Sequence, residues 1–283
     1  MNSEKYYEII QQKDYLIIIR EKFDEIEPRF FTTYTNLYLI IGKNECLLID
    51  TGCGLFPLKP VIDKFLNEKK LNVVNTHSHW DHIGANGEFE NVFIHKKEKR
   101  LISKPLDLSF LKNAPNTIVN RYSNINLILL PAKRITPLNG GEIFDLGGID
   151  VEIIHNAGHS PGSISLYTDK GELFPGDLVR YGMILLPSKE NFTPVINSLK
   201  LLINLCNKEK ITELYPSHDE YNISKNSLTD LFHHLENIDD IWENRKPDEF
   251  NNAWIIKINE FLLMINVGIK EREDFKKRLN LIK

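Results

Sequence analysis

Between Asn75 and Ala85 the chain reads NTHSHWDHIGA, which puts His77, His79, Asp81 and His82 within six positions. The whole chain of 283 residues has nine histidines. A chance H-x-H-x-D-H match is expected on the order of once in a thousand chains of this length. Imidazoles and a carboxylate packed this closely point to a divalent cation. The missing ligands must then come from elsewhere in the chain. NAGHSPGS carries His159, LFPGDLV carries Asp177 and LYPSHDE carries His218. Each follows a predicted strand next to glycine or proline, in the loops where a scaffold converges distant residues. His77, His79 and His159 make a three-nitrogen set for one metal. Asp81, His82 and His218 make a second set, with Asp177 placed to bridge the two. Donors without a thiolate suit zinc, and also iron or manganese. Asp50, at the end of the strand before TGCG, is expected behind the ligands, fixing a histidine tautomer or holding the ligand loop.

The elements that must position these residues are legible as apolar runs and breaks. DYLIIIR from Asp14, TNLYLIIG from Thr35 and CLLID from Cys46 are β-rich. Gly52 and Gly54 then allow a tight turn. Leu58 to Lys69 has helical apolar spacing, and NVVNTH is a buried strand running into the histidine cluster. NVFIH is another strand, followed by a basic helical run, KKEKRLI. Residues 103–134 lose the pattern and are predicted to be an insertion with short irregular helices. Strand signals resume in EIFDL, GIDVEIIH, SISLYTD and ELFPGD. FTPVINSLKLLINLC is an amphipathic helix, and the run from Ser224 to Arg245 is a helix with a serine cap. AWIIKINEFLLMI predicts a strand or hairpin before a charged terminal helix. Two facing sheets with helices outside accommodate this order, although periodicity alone does not select that α/β arrangement over others.

THSHWDH, AGHSPGS, GD and PSH, in this order and with LLIDTG upstream, resemble the metallo-β-lactamase superfamily. The likeness covers nearly the whole chain. It implies a four-layer αβ/βα sandwich over residues 1–283 as a single domain, with the insertion at about 103–134 and a C-terminal strand plus helix. It also implies a two-metal site at the sheet edges. The position after Gly176 is Asp177 rather than a cysteine, as in the glyoxalase II, lactonase and thioesterase branch, where an aspartate bridges the metals. REKF, LLIDTGCGL and LFPGDLVRYGMIL are further similar to the metallo-β-lactamase-domain acyl-CoA thioesterases.

Such a site holds two divalent ions, with zinc expected and iron or manganese as alternatives. Together they lower the pKa of a bridging water so that hydroxide is present at neutral pH. The metal held by His77, His79 and His159 stabilises the oxyanion, and Asp81 orients the hydroxide. The reaction expected is hydrolysis of a thioester, of an acyl-CoA or of glutathione. The alternatives are a lactonase or promiscuous β-lactamase, a mononuclear iron persulfide dioxygenase, and a nuclease. Arg180 and Tyr181 lie just past Asp177. Arg180 is a candidate for a substrate phosphate or carboxylate and Tyr181 for a catalytic hydrogen bond to a carbonyl, while an exposed loop pair explains both equally well. The 103–134 segment and GMILLP are apolar enough to line an acyl channel or to close the core. His95 and His155 are predicted to be structural, His233 and His234 to lie on a helix surface, and Cys53 to be a buried small hydrophobe.

Bulk properties narrow the field. A net charge of −4 with 42% hydrophobic residues indicates a globular chain with no bulk attraction to polyanions, so no nucleic-acid partner is expected. Cys46, Cys53 and Cys206 are isolated and odd in number, which fits a reducing compartment. The polar N-terminal stretch and the short apolar runs predict neither a secretory signal nor a membrane span. A cytoplasmic enzyme acting on a small molecule is the expectation.

Overall fold

In the computed structural model, which describes residues 6–113 and 125–282, the early apolar runs are strands buried on both faces. β1 (Tyr7–Lys13), β2 (Leu16–Lys22), β3 (Tyr34–Ile41), β4 (Glu45–Ile49), β5 (Lys70–Val74) and β6 (Asn91–His95) lie side by side in that order. A two-residue ribbon of β7 (Leu106–Asp107) with β8 (Ile128–Leu129) precedes β9 (Arg134–Leu138), which pairs with β6 and completes a seven-stranded sheet. Strands β1 to β4 alternate in direction, whereas β4, β5, β6 and β9 run parallel. The ends of β4 and β5 therefore open on one edge, with Asp50 and the histidine cluster just beyond them.

The second sheet has the order β10 (Ile143–Asp145), β11 (Asp150–His155), β12 (Ile164–Thr168), β13 (Glu172–Phe174) and then β15 (Glu213–Leu214). Neighbours β10 to β13 are antiparallel and β13 pairs parallel with β15, so β11, β13 and β15 all end on the same side. Those three ends precede His159, Asp177 and His218.

Period-two alternation explains how the sheets stack. Leu16, Ile18, Tyr38, Ile40, Leu47 and Ile49 face Val151, Ile153, Ile164, Leu166 and Phe174 of the second sheet. The intervening residues Ile17, Ile19, Leu37, Leu39 and Leu48 pack on the opposite face against Val61 and Ile62 of α1 (Lys59–Leu66). The outer side of the second sheet is covered by α3 (Thr193–Lys208), through Val195, Leu199 and Leu202, and by α4 (Asn226–Glu236). The helical turn α2 (Trp80–Ile83) carries part of the histidine cluster. Helix, sheet, sheet and helix make the four layers of the expected αβ/βα sandwich. Each fully buried Leu or Ile contributes roughly 1.5–3 kcal/mol, so the two interior faces dominate its stability.

Several local expectations are corrected. A third sheet, β14 (Gly182–Leu186), β18 (Phe261–Asn266), β17 (Ala253–Ile258) and β16 (Lys246–Asp248), was not expected. GMILLP supplies β14, which pairs parallel with β18, and the C-terminal hairpin is followed by α6 (Arg272–Ile282). KKEKRLI forms successive turns instead of a helix. The helix from Ser224 breaks after Glu236 and resumes as α5 (Ile238–Ile241); the Ser224 hydroxyl accepts from Asn226 N–H at 3.2 Å, although Lys225 is the cap position. Within the 103–134 segment, residues 114–124 lie outside the described residues. Leu108, Leu111 and Leu127 are buried with Phe23, Ile26, Cys53 and Leu55, whereas Ile128 and Leu130 are exposed. No helix among the described residues is long and apolar enough to cross a membrane.

Candidate metal centre

The loop after β5 must turn sharply to present four ligand side chains, and buried polar contacts hold it. Thr51 N–H and the Asn75 side-chain amide both donate to the His82 carbonyl, at 2.9 and 3.0 Å. Asn86 links Asn75 to Thr51 through bonds of 2.9 Å each. Gly54 and Gly84 touch: a Cβ on Gly84 would lie 2.2 Å from the Cys53 carbonyl, and Gly54 has φ +71°. Only glycines allow the DTGCG turn to sit this close to the ligand loop.

Across the sheet edges the distant candidates converge on this loop. His79 Nδ1 and His159 Nε2 are 2.9 Å apart, and His77, His79 and His159 have one nitrogen each within 4.8 Å of the others. His218 Nε2 lies 3.2 Å from His82 Nε2 and 3.4 Å from Asp81 Oδ2, and these three residues form another such group. Asp177 stands between the groups. Its Oδ1 is 3.5 Å from His82 Nε2, and its Oδ2 is 3.6 Å from His159 Nε2 and 3.4 Å from His218 Nε2. All seven sequence candidates are thus brought together. His77 Nε2 and Asp177 Oδ1 are buried without a hydrogen-bond partner. Unpaired buried atoms of this kind cost free energy unless a ligand satisfies them, and a cation held at this point would do so. The donor set fits divalent metal.

The outward ring nitrogens are fixed from behind. Asp50 is wholly buried. Its Oδ2 accepts from His82 Nδ1 and from the Thr76 hydroxyl, both at 2.8 Å, and its Oδ1 accepts from Thr76 N–H at 2.7 Å. Thr76 Oγ1 in turn accepts from His77 Nδ1 at 3.0 Å. One carboxylate therefore leaves Nε2 bare on two histidines, directly on His82 and by relay on His77. His218 Nδ1 donates to the Tyr34 carbonyl at 3.2 Å.

Electrostatics favour the ligating forms of His77, His79, His159 and Asp177. Burial, together with the His82 and His79 rings, holds His77 well below the usual imidazole range. Burial also lowers His79, and takes His159 down to about 3. For Asp177 burial alone would raise the pKa, but His218 and His82 outweigh it and hold the carboxyl well below its ordinary value. His82 is opposite: burial disfavours its charge, yet Asp177, Asp81 and Asp50 push it well above.

A cavity of about 230 Å³ opens onto the cluster. Phe23, Phe30, Trp80, Met183 and Leu185 make an apolar wall, and Thr32 and Arg180 add polar groups. Along β14 the side chains alternate: Met183 and Leu185 face the cavity, while Ile184 and Leu186 enter the core. GMILLP therefore lines the cavity with one face and closes the core with the other. None of the described residues of the 103–134 segment lines the cavity, although the Phe110 ring rests against Trp80 at 5.5 Å. Arg180 is buried and donates to Thr32 Oγ1 at 2.7 Å, with Asp219 Oδ2 at 3.5 Å. Tyr181 is not brought to the cavity. It lines a separate depression with Tyr34 and Asp219, and its ring packs 6.1 Å from Phe261. The expected catalytic contact of Tyr181 is therefore not formed at this cavity.

The remaining histidines stand apart from the cluster. His95 and His155 stack on each other at 3.9 Å, and His234 lies edge-on to Phe261. Cys53 is buried, and burial raises its thiol. Thr76, Thr32, Phe23 and Phe30 escaped the sequence reading. Thr76 stood inside the histidine motif, but nothing in the pattern marks its relay.

A family model described as the metallo-beta-lactamase superfamily matches residues 31–240. The chain is 25% identical over 245 residues to the Homo sapiens protein named acyl-coenzyme A thioesterase MBLAC2, spanning 77% of this chain and 83% of that one. It is 32% identical over 196 residues to "Probable metallo-hydrolase MJ0888" of Methanocaldococcus jannaschii, spanning 66% of this chain and 88% of that protein. A solved metallo-beta-lactamase from Pontibacter korlensis superposes with a TM-score of 0.57 at 18% identity, covering 82% of this chain and 99% of that one.

Proposed function

The chain belongs to the metallo-beta-lactamase superfamily, and from that premise we propose that it is a dinuclear hydrolase of thioesters, with an acyl-CoA or a glutathione thioester as substrate. The observation that carries the reading is the pair of three-residue ligand sets with Asp177 between them. His77, His79 and His159 would hold one cation, Asp81, His82 and His218 the other, and Asp177 would serve both. Zinc suits these nitrogen and oxygen donors. Two such cations supply a hydroxide nucleophile at neutral pH and polarise the substrate carbonyl.

The chain's own groups do the remainder. Asp81 accepts a hydrogen bond from the attacking water and so aims it. The apolar wall from Phe23, Phe30, Trp80, Met183 and Leu185 receives the acyl group and excludes bulk water. Arg180, beside the cluster and wholly buried, offers guanidinium N–H donors to an oxygen of the substrate. No serine or cysteine nucleophile is required. We place the reaction in the cytoplasm, where buried free thiols at Cys46, Cys53 and Cys206 would persist. The thioester assignment draws on this apolar wall and on the name borne by the human relative.

The test is a substrate panel on one metal-loaded sample: acyl-CoA, glutathione thioester, lactone and cephalosporin. The proposal expects the highest kcat/KM on a thioester. A higher value on the lactone or cephalosporin, or oxygen-dependent turnover with a single iron per chain, would overturn it.

A further inference from the structure

The first ligand set is assembled from two sheets, with His77 and His79 on the loop after β5 and His159 on the loop after β11. We propose that Glu98 is a positioning residue that ties these two loops together and sets the spacing of the His77, His79 and His159 nitrogens. This inference rests on the metal-centre reading above and concerns a residue outside the seven ligands. Glu98 follows β6 in the run of turns and is 1% exposed. Its Oε2 accepts from the hydroxyl of Ser78, the residue between His77 and His79. Its Oε1 accepts from the Ser160 hydroxyl at 2.8 Å and from Gly162 N–H at 2.7 Å. Ser160 is the residue after His159. One buried carboxylate thus bonds the neighbour of every histidine in the set.

The second loop presses closely on this clamp. A Cβ on Gly162 would lie 2.4 Å from Glu98 Cγ, so a side chain there would push the loops apart. Ser160 N–H also donates to Ser163 Oγ at 3.0 Å, which stiffens the turn that bears His159. Removing the carboxylate would leave the buried Gly162 N–H and the Ser78 hydroxyl without their acceptor, and the Ser160 hydroxyl with Ser163 Oγ alone. The loops would then relax, and the three nitrogens would lose the preset spacing that a cation rewards. Groups behind metal ligands typically contribute 10- to 100-fold in affinity.

Because the clamp works through reach and not through charge, Gln and Asp at this position separate the two explanations. Glu98→Gln keeps the length, with the amide oxygen on Ser160 and Gly162 and the amide N–H on Ser78 Oγ. Glu98→Asp keeps the charge but is one methylene too short to span both loops. The experiment is titration of the metal-free protein with Co2+, followed by visible absorption, in two backgrounds. In His218→Ala only the first set is complete, and in His159→Ala only the second. In the first background E98D is expected to weaken Co2+ binding about 10- to 100-fold and E98Q by less than about 3-fold. In the second background neither should change it. Far-UV circular dichroism on each variant checks the fold, and Ser160→Ala, which removes the hydroxyl's bonds to Glu98 and to Ser163 Oγ, should weaken the first set alone if E98D does not fold. The proposal is overturned if E98D binds like its parent, if E98Q loses as much as E98D, or if the loss appears equally in both backgrounds. If the His218→Ala parent takes up no Co2+, the metal-centre reading fails and the clamp with it.

Discussion

Replacing Asp50 by Asn perturbs both ligand sets through one atom. Position 50 has φ +62°, a left-handed backbone that Asn tolerates, so the change is chemical and not conformational. The amide can keep an oxygen on Thr76 N–H, where Asp50 Oδ1 now accepts at 2.7 Å. Its NH2 must then face His82 Nδ1 and Thr76 Oγ1, each of which lies 2.8 Å from Asp50 Oδ2. His82 can meet a donor only with a bare Nδ1, so its proton moves to Nε2, the nitrogen needed for a cation. Thr76 Oγ1 would accept from the amide and donate to His77 Nδ1, 3.0 Å away, moving that proton to Nε2 as well. The flipped amide fares no better, since it sets NH2 against Thr76 N–H. Each lost tautomer is expected to cost about 10- to 100-fold in affinity, or about 1.4–2.7 kcal/mol. Thr76→Val interrupts only the relay to His77 and should weaken one ion alone. The assay is Zn2+ competition against a chromophoric chelator, with circular dichroism to confirm the fold. If D50N bound both ions within 3-fold of the parent, the tautomer argument would be refuted.

Other outcomes follow from single contacts. Burial raises the Glu21 carboxyl to about 7, against the opposing bond from Cys53 N–H. Its folded pKa exceeds the unfolded one, so its stability contribution is intact below about pH 4.5 and is lost as pH rises through about 7, on the order of 3 kcal/mol in all. Glu21→Gln should therefore flatten the fall in Tm between pH 5 and 8, and parallel Tm curves for the two proteins would contradict this. Arg180→Met is expected to lower kcat/KM on the preferred substrate by about 10- to 100-fold through loss of a charged hydrogen bond, with metal content unchanged by elemental analysis. Tyr181→Phe should leave kcat/KM within about 2-fold, because its ring packs toward Phe261 and not into the cavity; a larger loss in a steady-state assay would restore it to the site.

The ligands were legible because short loops after strands, punctuated by Gly and Pro, leave few places for a side chain to go. The layers were legible for a related reason, since β2 to β4 bury residues on both faces and so demand cover on each side. What stayed hidden depends on partners far away in sequence. Nothing in GMILLP announces that β14 will pair with β18 about eighty residues later. KKEKRLI has helical composition, yet Glu98 is drawn down into the loop clamp and the backbone closes in single turns, with Glu98 N–H on the His95 carbonyl and Leu101 N–H on the Glu98 carbonyl. Arg180 and Tyr181 are neighbours in sequence, and only Arg180 reaches the cavity, because the chain bends just ahead of β14 and Tyr181 packs toward Phe261. Thr32, Phe23 and Phe30 sit on the β2–β3 connection, whose composition carries no sign that it borders the metal centre.

If seven side chains hold two cations, a count of metal per folded chain shows it without recourse to any substrate. After equilibration with Zn2+ and removal of excess, elemental analysis should find two ions in the parent protein, with the first set emptied in His79→Ala. A single ion in the parent under saturating Zn2+, or an unchanged count in His79→Ala, would mean that these side chains do not form a two-metal centre.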